Sequence, residues 1–170
     1  MTRSTDESNI LIVDDTPENL TVLRQMLKEH GYRARQALSG EIALKAAQAD
    51  IPDLILLALM MPGMNGFEVC KKLKANEVTC DIPVLFFSAL NETEDKVKGF
   101  KAGGVDFITK PFHAAEVFAR VETHLTLRRL QKNVQKKNIL LLNEIEERKR
   151  VETALEKANR ELEQLASLDG

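Results

Sequence analysis

Two carboxylates, one hydroxyl and one ammonium stand at comparable places along this chain. Asp14-Asp15 follow the apolar run Ile10-Leu11-Ile12-Val13, and Ser88 follows Val84-Leu85-Phe86-Phe87. Lys110 closes the segment Val105-Asp106-Phe107-Ile108-Thr109. A fourth run, Leu54-Ile55-Leu56-Leu57, leads instead into Ala58, which has no functional group. Each of these has a bland reading. Paired acids at a strand end are often a solvated turn, and a single serine or lysine means nothing by itself. Their value depends on whether the fold brings them together.

The apolar runs are short and apolar on successive residues, which suits strands buried on both faces of a parallel sheet. Between them lie helical stretches with start and stop signals. Thr16-Pro17 opens the first, with Thr16 as N-cap, and Leu20, Leu23 and Leu27 keep helical spacing until Gly31. Tyr32 to Ala37 is a more polar strand, placed near an edge. Ser39 caps a helix through Ala49, and Phe67, Cys70, Lys71 and Lys74 lie on the next. Glu92 to Ala102 forms another, stopped by Gly103-Gly104, and Val105 to Ile108 makes the last strand. Five strands alternating with helices predict a doubly wound α/β fold. Ligands of such sheets bind beyond the carboxyl ends of the strands, where Asp14, Asp15, Ala58, Ser88 and Lys110 all fall.

The rest of the chain bounds the answer. Formal net charge is -2 over 170 residues, without the strongly basic balance of a nucleic-acid binder. No apolar run approaches the roughly 20 residues that span a bilayer, and the polar start MTRSTDESN lacks a signal-peptide core. Cys70 and Cys80 make no metal-ligand spacing with a histidine and are expected to be reduced thiols. A cytoplasmic protein binding neither nucleic acid nor membrane is expected. Proline is absent beyond Pro111, and glycine is absent between Gly104 and Gly170. A breaker-free stretch rich in Leu, Glu, Lys and Arg predicts continuous helix. The expected organisation is a disordered tail over 1–8, a compact domain over 9–127 and a helix over 128–170.

With ILIVDD, PDLILLALMMPGMNGFEV, PVLFFSAL and GGVDFITKPF in this order, residues 9–127 resemble the receiver domain of two-component response regulators. The resemblance implies a flavodoxin-like five-stranded parallel sheet of order 2-1-3-4-5. It implies that Asp14, Asp15 and the Met60 carbonyl hold Mg²⁺, an oxygen-only set that suits this ion. Ser88 would bond a phosphoryl oxygen, and Lys110 would pair with phosphoryl charge. Lys110-Pro111 would be cis, and Phe107 would be the aromatic that turns inward on activation, although an aromatic in a strand is more often simple core. A cognate histidine kinase is the implied partner.

Ala58 departs from the family, which has the phosphate-accepting aspartate there. A methyl group cannot attack phosphorus, and Asp53 lies at the wrong end of its strand to substitute. Mg²⁺ would also bind more weakly with one carboxylate gone. Because Asp14, Asp15, Ser88 and Lys110 are all kept, an aspartate replaced by alanine is favoured over a natural, phosphate-independent receiver acting as adaptor or scaffold.

The last helix has no sequence reason to stop at 127, and carried to Leu168 it would measure about 80 Å. Leu127, Leu130, Val134, Leu141, Val151, Leu155, Ala158, Leu162 and Leu165 keep a heptad seam that Lys137, Glu144 and Arg148 interrupt. Around Asn138 a shifted register through Leu141 and Ile145 fits better. A parallel homodimeric coiled coil is expected, joined by the last-strand face of the receiver; a single solvated helix is the alternative. The segment from Leu162 to Gly170 resembles the helix that enters a diguanylate cyclase (GGDEF) domain. The expectation is a piece ending before that output domain, itself not an enzyme, from a protein that makes cyclic di-GMP. A hybrid histidine kinase is the other parent considered.

Overall fold

The structure is a computed structural model that describes residues 8–89 and 93–168. Among the described residues ten elements alternate: β1 (Asn9–Val13), α1 (Pro17–Glu29), β2 (Arg33–Ala37), α2 (Gly40–Ala49), β3 (Leu54–Ala58), α3 (Gly66–Ala75), β4 (Val84–Ser88), α4 (Thr93–Ala102), β5 (Asp106–Thr109) and α5 (Ala114–Leu168). All strand pairs are parallel, in the order β2-β1-β3-β4-β5. The fold is therefore the flavodoxin-like doubly wound sheet of a receiver, followed by a long helix.

Burial explains the strand order. Every residue of β1, β3 and β4 is buried, as central strands covered on both faces require. β2, with the sequence Arg-Ala-Arg-Gln-Ala, buries only Ala37 and takes an edge. Leu20, Leu23 and Leu27 of α1 and Val117, Val121 and Leu125 of α5 press their apolar stripes onto the core.

Local signals placed the helices well, with small differences. Ser39 Oγ accepts from the Ile42 amide, and Asn65 Oδ1 accepts from the Glu68 amide. Thr16 occupies the expected cap position, but its side chain makes no capping bond. Its own N–H donates to Asp14 Oδ1 at 3.2 Å, so the acid before the helix does part of that work. β5 begins and ends one residue later than expected, because the Val105 amide already pairs with the Val84 carbonyl ahead of the ladder. Tyr32 is buried but precedes β2. Of the tail expected over 1–8, only Ser8 lies among the described residues; it is buried, and its carbonyl accepts from Arg33 N. Glu92, the expected start of α4, lies outside them.

The chain divides into two compact units, Met1–Arg128 and Arg129–Gly170. In the second unit the described residues are one uninterrupted stretch of helix, exposed at every residue from Leu130 on. Its ion pairs run along the helix at i,i+4, including Glu144–Arg148 at 3.0 Å. Among the described residues, no helix is long and apolar enough to cross a membrane.

Candidate functional site

The carboxyl ends of the strands bring the expected residues together. Val13 pairs with Leu57, Ala58 with Phe87, and Ser88 with Thr109. Asp14, Ala58, Ser88 and Lys110 therefore emerge from four neighbouring strands along one edge. The Lys110 N–H donates to the Ser88 carbonyl at 2.9 Å, which locks the β4 and β5 ends to each other. Lys110-Pro111 is a cis peptide, as the resemblance implied. Asp53 lies at the other end of β3, where its carboxylate accepts from the Asn9 amide.

Asp14 is buried, with Oδ2 accepting from Asn19 Nδ2 at 2.6 Å and Oδ1 from the Thr16 amide. Burial pushes its carboxyl above the usual range and the neighbouring Asp15 adds to this, while Asn19, Thr16 and the Lys110 charge pull the other way. A buried carboxylate whose local donors do not restore its ordinary acidity is a place that favours added positive charge. Asp15 is exposed. The Lys110 ammonium lies 5.8 Å from the Phe87 ring centroid and 6.0 Å from that of Phe112, an aromatic floor beneath a cation.

Ala58 is buried at the end of β3. The chain after it turns back tightly: the Gly66 amide donates to the Leu59 carbonyl, and a Cβ at Gly66 would lie 2.3 Å from the Ala58 carbonyl oxygen. Only glycine lets α3 begin this close to β3. Met60, exposed in this turn, carries its backbone carbonyl in the segment directly after β3. Among the described residues, no three His, Cys, Asp or Glu side chains are grouped to hold a metal ion.

Phe107 is buried, with its ring 5.3 Å from Phe86 and 5.8 Å from Phe100. The ring points inward here and packs as core. The seam residues Leu127, Leu130, Val134, Leu141, Val151, Leu155, Ala158, Leu162 and Leu165 are all exposed.

Two features had no sequence warning. Asn19 supports Asp14 from the first turn of α1, five residues on, and nothing in its surroundings marks it. Asp106 ties β5 to Arg120 and His124 of α5, partners that meet only when the helix packs on the sheet.

An order 2-1-3-4-5 parallel sheet with an acid pair, a hydroxyl and a lysine at its carboxyl edge defines a receiver-type domain. Residues 10–122 match the family described as Response regulator receiver domain, and the chain belongs to that family. It is 43% identical over 116 residues to Response regulator PleD of Caulobacter vibrioides, covering 68% of this chain and 26% of that protein. It is equally 43% identical over 116 residues to the DNA-binding dual master transcriptional regulator RpaA of Synechocystis, again 68% of this chain and 48% of that one. A Vibrio cholerae protein named Probable cyclic di-GMP phosphodiesterase is 39% identical over 135 residues, 79% of this chain and 29% of the other. Among solved structures, Vibrio cholerae chemotaxis protein CheY4 superposes with a TM-score of 0.67 at 26% identity, over 69% of this chain and 98% of that one. The chain thus spans about a quarter to a half of the length of these curated relatives. A receiver domain implies a histidine kinase as partner, and receivers generally bind Mg²⁺ at their acidic pocket.

Proposed function

We propose that this receiver is the input domain of a phosphorelay response regulator, and that Ala58 stands at its phosphoacceptor position. The observation that carries this is the alignment of Asp14, Ala58, Ser88 and Lys110 on four adjacent strand ends, with the methyl group where a nucleophile belongs. An aspartate at 58 would attack the phosphorus of a phosphoryl donor, and the donor's leaving group would depart. Alanine has no lone pair to offer. Ser88 would donate to a phosphoryl oxygen and Lys110 would balance its charge. Phe107, the aromatic of the switch in this reading, already points inward here. Retention of every other group supports the replacement of one aspartate over a natural phosphate-independent adaptor.

Mg²⁺ fits the residues present. Asp14, Asp15 and the Met60 carbonyl offer hard oxygen donors, and Mg²⁺ takes few protein carboxylates while keeping several waters. Burial and the neighbouring Asp15 hold the Asp14 carboxyl above its usual pKa, so a cation there would be stabilising. With two carboxylates in place of three, affinity is weakened.

The helix is the transmitting element of this reading. Its exposed heptad seam supports a parallel homodimer, joined by the α4-β5-α5 side of the receiver, whose geometry sets the output. For that output we infer cyclic di-GMP turnover, a diguanylate cyclase being the form we favour. The support is the resemblance of the segment after Leu162 to the helix entering a GGDEF domain, together with the name of the Vibrio relative. A DNA-binding output, as in RpaA, and a hybrid histidine kinase are the competing parents. The site reading is tested by intact-mass measurement after incubation with acetyl phosphate and Mg²⁺. The chain should gain no phosphoryl group, and Ala58→Asp should gain one that is labile in alkali. A stoichiometric adduct on the unaltered chain would refute the assignment.

A further inference from the structure

A single carboxylate joins the strand that carries Phe107 to the helix that leaves the receiver. Asp106 Oδ1 accepts from the Phe107 amide at 2.8 Å and from Arg120 Nη1 at 2.5 Å. Asp106 Oδ2 lies 2.9 Å from His124 Nε2. Glu116 steadies Arg120 from one turn earlier, at 3.2 Å. The Asp106 and His124 side chains are only 22% and 14% exposed, so these contacts are largely shielded from water. The Asp106 carboxyl is held below its ordinary range: burial raises it, but the Arg120, His124 and Phe107 bonds outweigh burial.

On its other side Phe107 has no slack. Its ring is wedged against Phe86 and Phe100, and a Cβ at Gly99 would come within 2.6 Å of it. A displacement of this ring must therefore move its peptide. The apolar stripe of α5, Val117, Val121 and Leu125, contributes non-directional attraction. Hydrogen bonds to a charged group are directional and strong. Of these two kinds of contact, the Asp106 bonds are the directional ones between β5 and α5.

We propose that Asp106 is a positioning residue that fixes the start of α5 to the Phe107 peptide, so that the position of one dictates that of the other. The candidate phosphoryl site closes β5 at Lys110, and the tie to α5 opens it at Asp106. Four residues of strand thus link the pocket to the helix. This rests on the receiver reading only for what sets Phe107 in motion; the tie itself makes no use of position 58.

A double-mutant cycle on the 170-residue chain decides it. Phe107→Leu and Arg120→Gln are made singly and together, and amide hydrogen exchange is followed over residues 117–125. With Asp106 present, the combined loss of protection should fall short of the product of the single losses by about five- to tenfold. In Asp106→Asn the same two changes should multiply. Arg120→Lys, which keeps the charge, should retain part of the coupling. A residue that merely stabilises the fold would lower protection in every variant without coupling the two. Simple multiplication with Asp106 intact overturns the proposal, as does a shortfall that survives Asp106→Asn. Should Asp106→Asn be too unstable to follow, the cycle with His124→Gln in place of Arg120→Gln must show the same shortfall, and multiplication there overturns it.

Discussion

Asp14 and Ala58 leave the sheet side by side, because Val13 of β1 is paired with Leu57 of β3. A carboxylate placed at 58 would stand next to one whose acidity is already weakened by burial and by Asp15. Like charges in one site repel and raise each other's pKa. The metal-free Ala58→Asp protein should therefore be less stable than the alanine form by about 1 kcal/mol or more, in the range of ordinary single substitutions. Mg²⁺ reverses the order, since a ligand at 100 times its Kd adds about 2.7 kcal/mol. Thermal melts in EDTA and in Mg²⁺ on both proteins give the comparison. A higher Tm for the Asp form in EDTA would count against a shared carboxylate site.

Gly99 tests whether Phe107 is as tightly wedged as the geometry says. Alanine is the better helix former by about 1 kcal/mol, so propensity alone favours Gly99→Ala within α4. Its Cβ, however, would sit 2.6 Å from the Phe107 ring and 3.0 Å from Phe86. Overpacking of this kind costs about 1–3 kcal/mol, enough to reverse the sign. Urea melts should show Gly99→Ala destabilised, and Phe107→Leu in the same chain should recover part of the loss. A net gain in stability would mean that the ring yields freely.

Buried Asp14 and half-buried Asp106 give stability opposite dependences on pH. The carboxyl of Asp106 is lowered on folding, so its contribution is present above the unfolded value of about 3.9 and is lost as pH falls through its folded value. Asp106→Asn should be clearly destabilising at neutral pH and lose that penalty in acid. Asp14 is raised on folding, so the folded state binds the proton more tightly and stability falls as pH climbs from about 3.9 through the raised value. Asp14→Asn should be stabilising at neutral pH without Mg²⁺ and close to neutral in acid. Urea melts from pH 3 to pH 8 on the two variants should show differences of opposite sign, both shrinking toward the acid end. Parallel curves would contradict the assigned environments.

The features legible in the sequence are those whose physics is local. Buried strands declare themselves by unbroken apolar runs, as in Leu54 to Leu57, and β2 declares its edge by alternating Arg and Ala. The helix cap at Ser39 and the carboxyl-edge rule then bring Asp14, Ala58, Ser88 and Lys110 into one row. Boundaries set by non-local hydrogen bonds escape such reading. β5 slipped by one residue because Val105 pairs with Val84, and the N–H of Thr16 is satisfied by Asp14 where a cap on its own side chain was expected. Asn19 and the Asp106 tie were invisible for the same reason: their partners meet only once helix and sheet have packed. That Ala58 is alanine is plain from the letters, but its meaning comes from the neighbours.

Assembly depends on the helix beyond the receiver. Leu127, Leu130, Leu141, Leu155, Leu162 and Leu165 are each about half exposed or more, a continuous apolar liability for a lone helix in water. A partner seam would bury that area at roughly 25 cal/mol per Å². The middle of the seam is weak, because Glu144 and Arg148, both on it, already pair with each other at 3.0 Å within one chain. Ile139, Leu140, Leu141 and Leu142 are exposed in succession and cannot all face one seam at about 100° per residue, which fits a register change near Asn138. The two ends should therefore contribute separately, and the chain should be dimeric at micromolar concentration without phosphate. Removing residues after Arg128 should leave a monomer. Leu155→Asp with Leu162→Asp should loosen the dimer nearly as far, while Glu144→Leu with Arg148→Leu should tighten it. Sedimentation equilibrium on the four proteins reads the order directly. A monomeric full chain, or a shortened receiver that remains a tight dimer, would take the helix out of assembly.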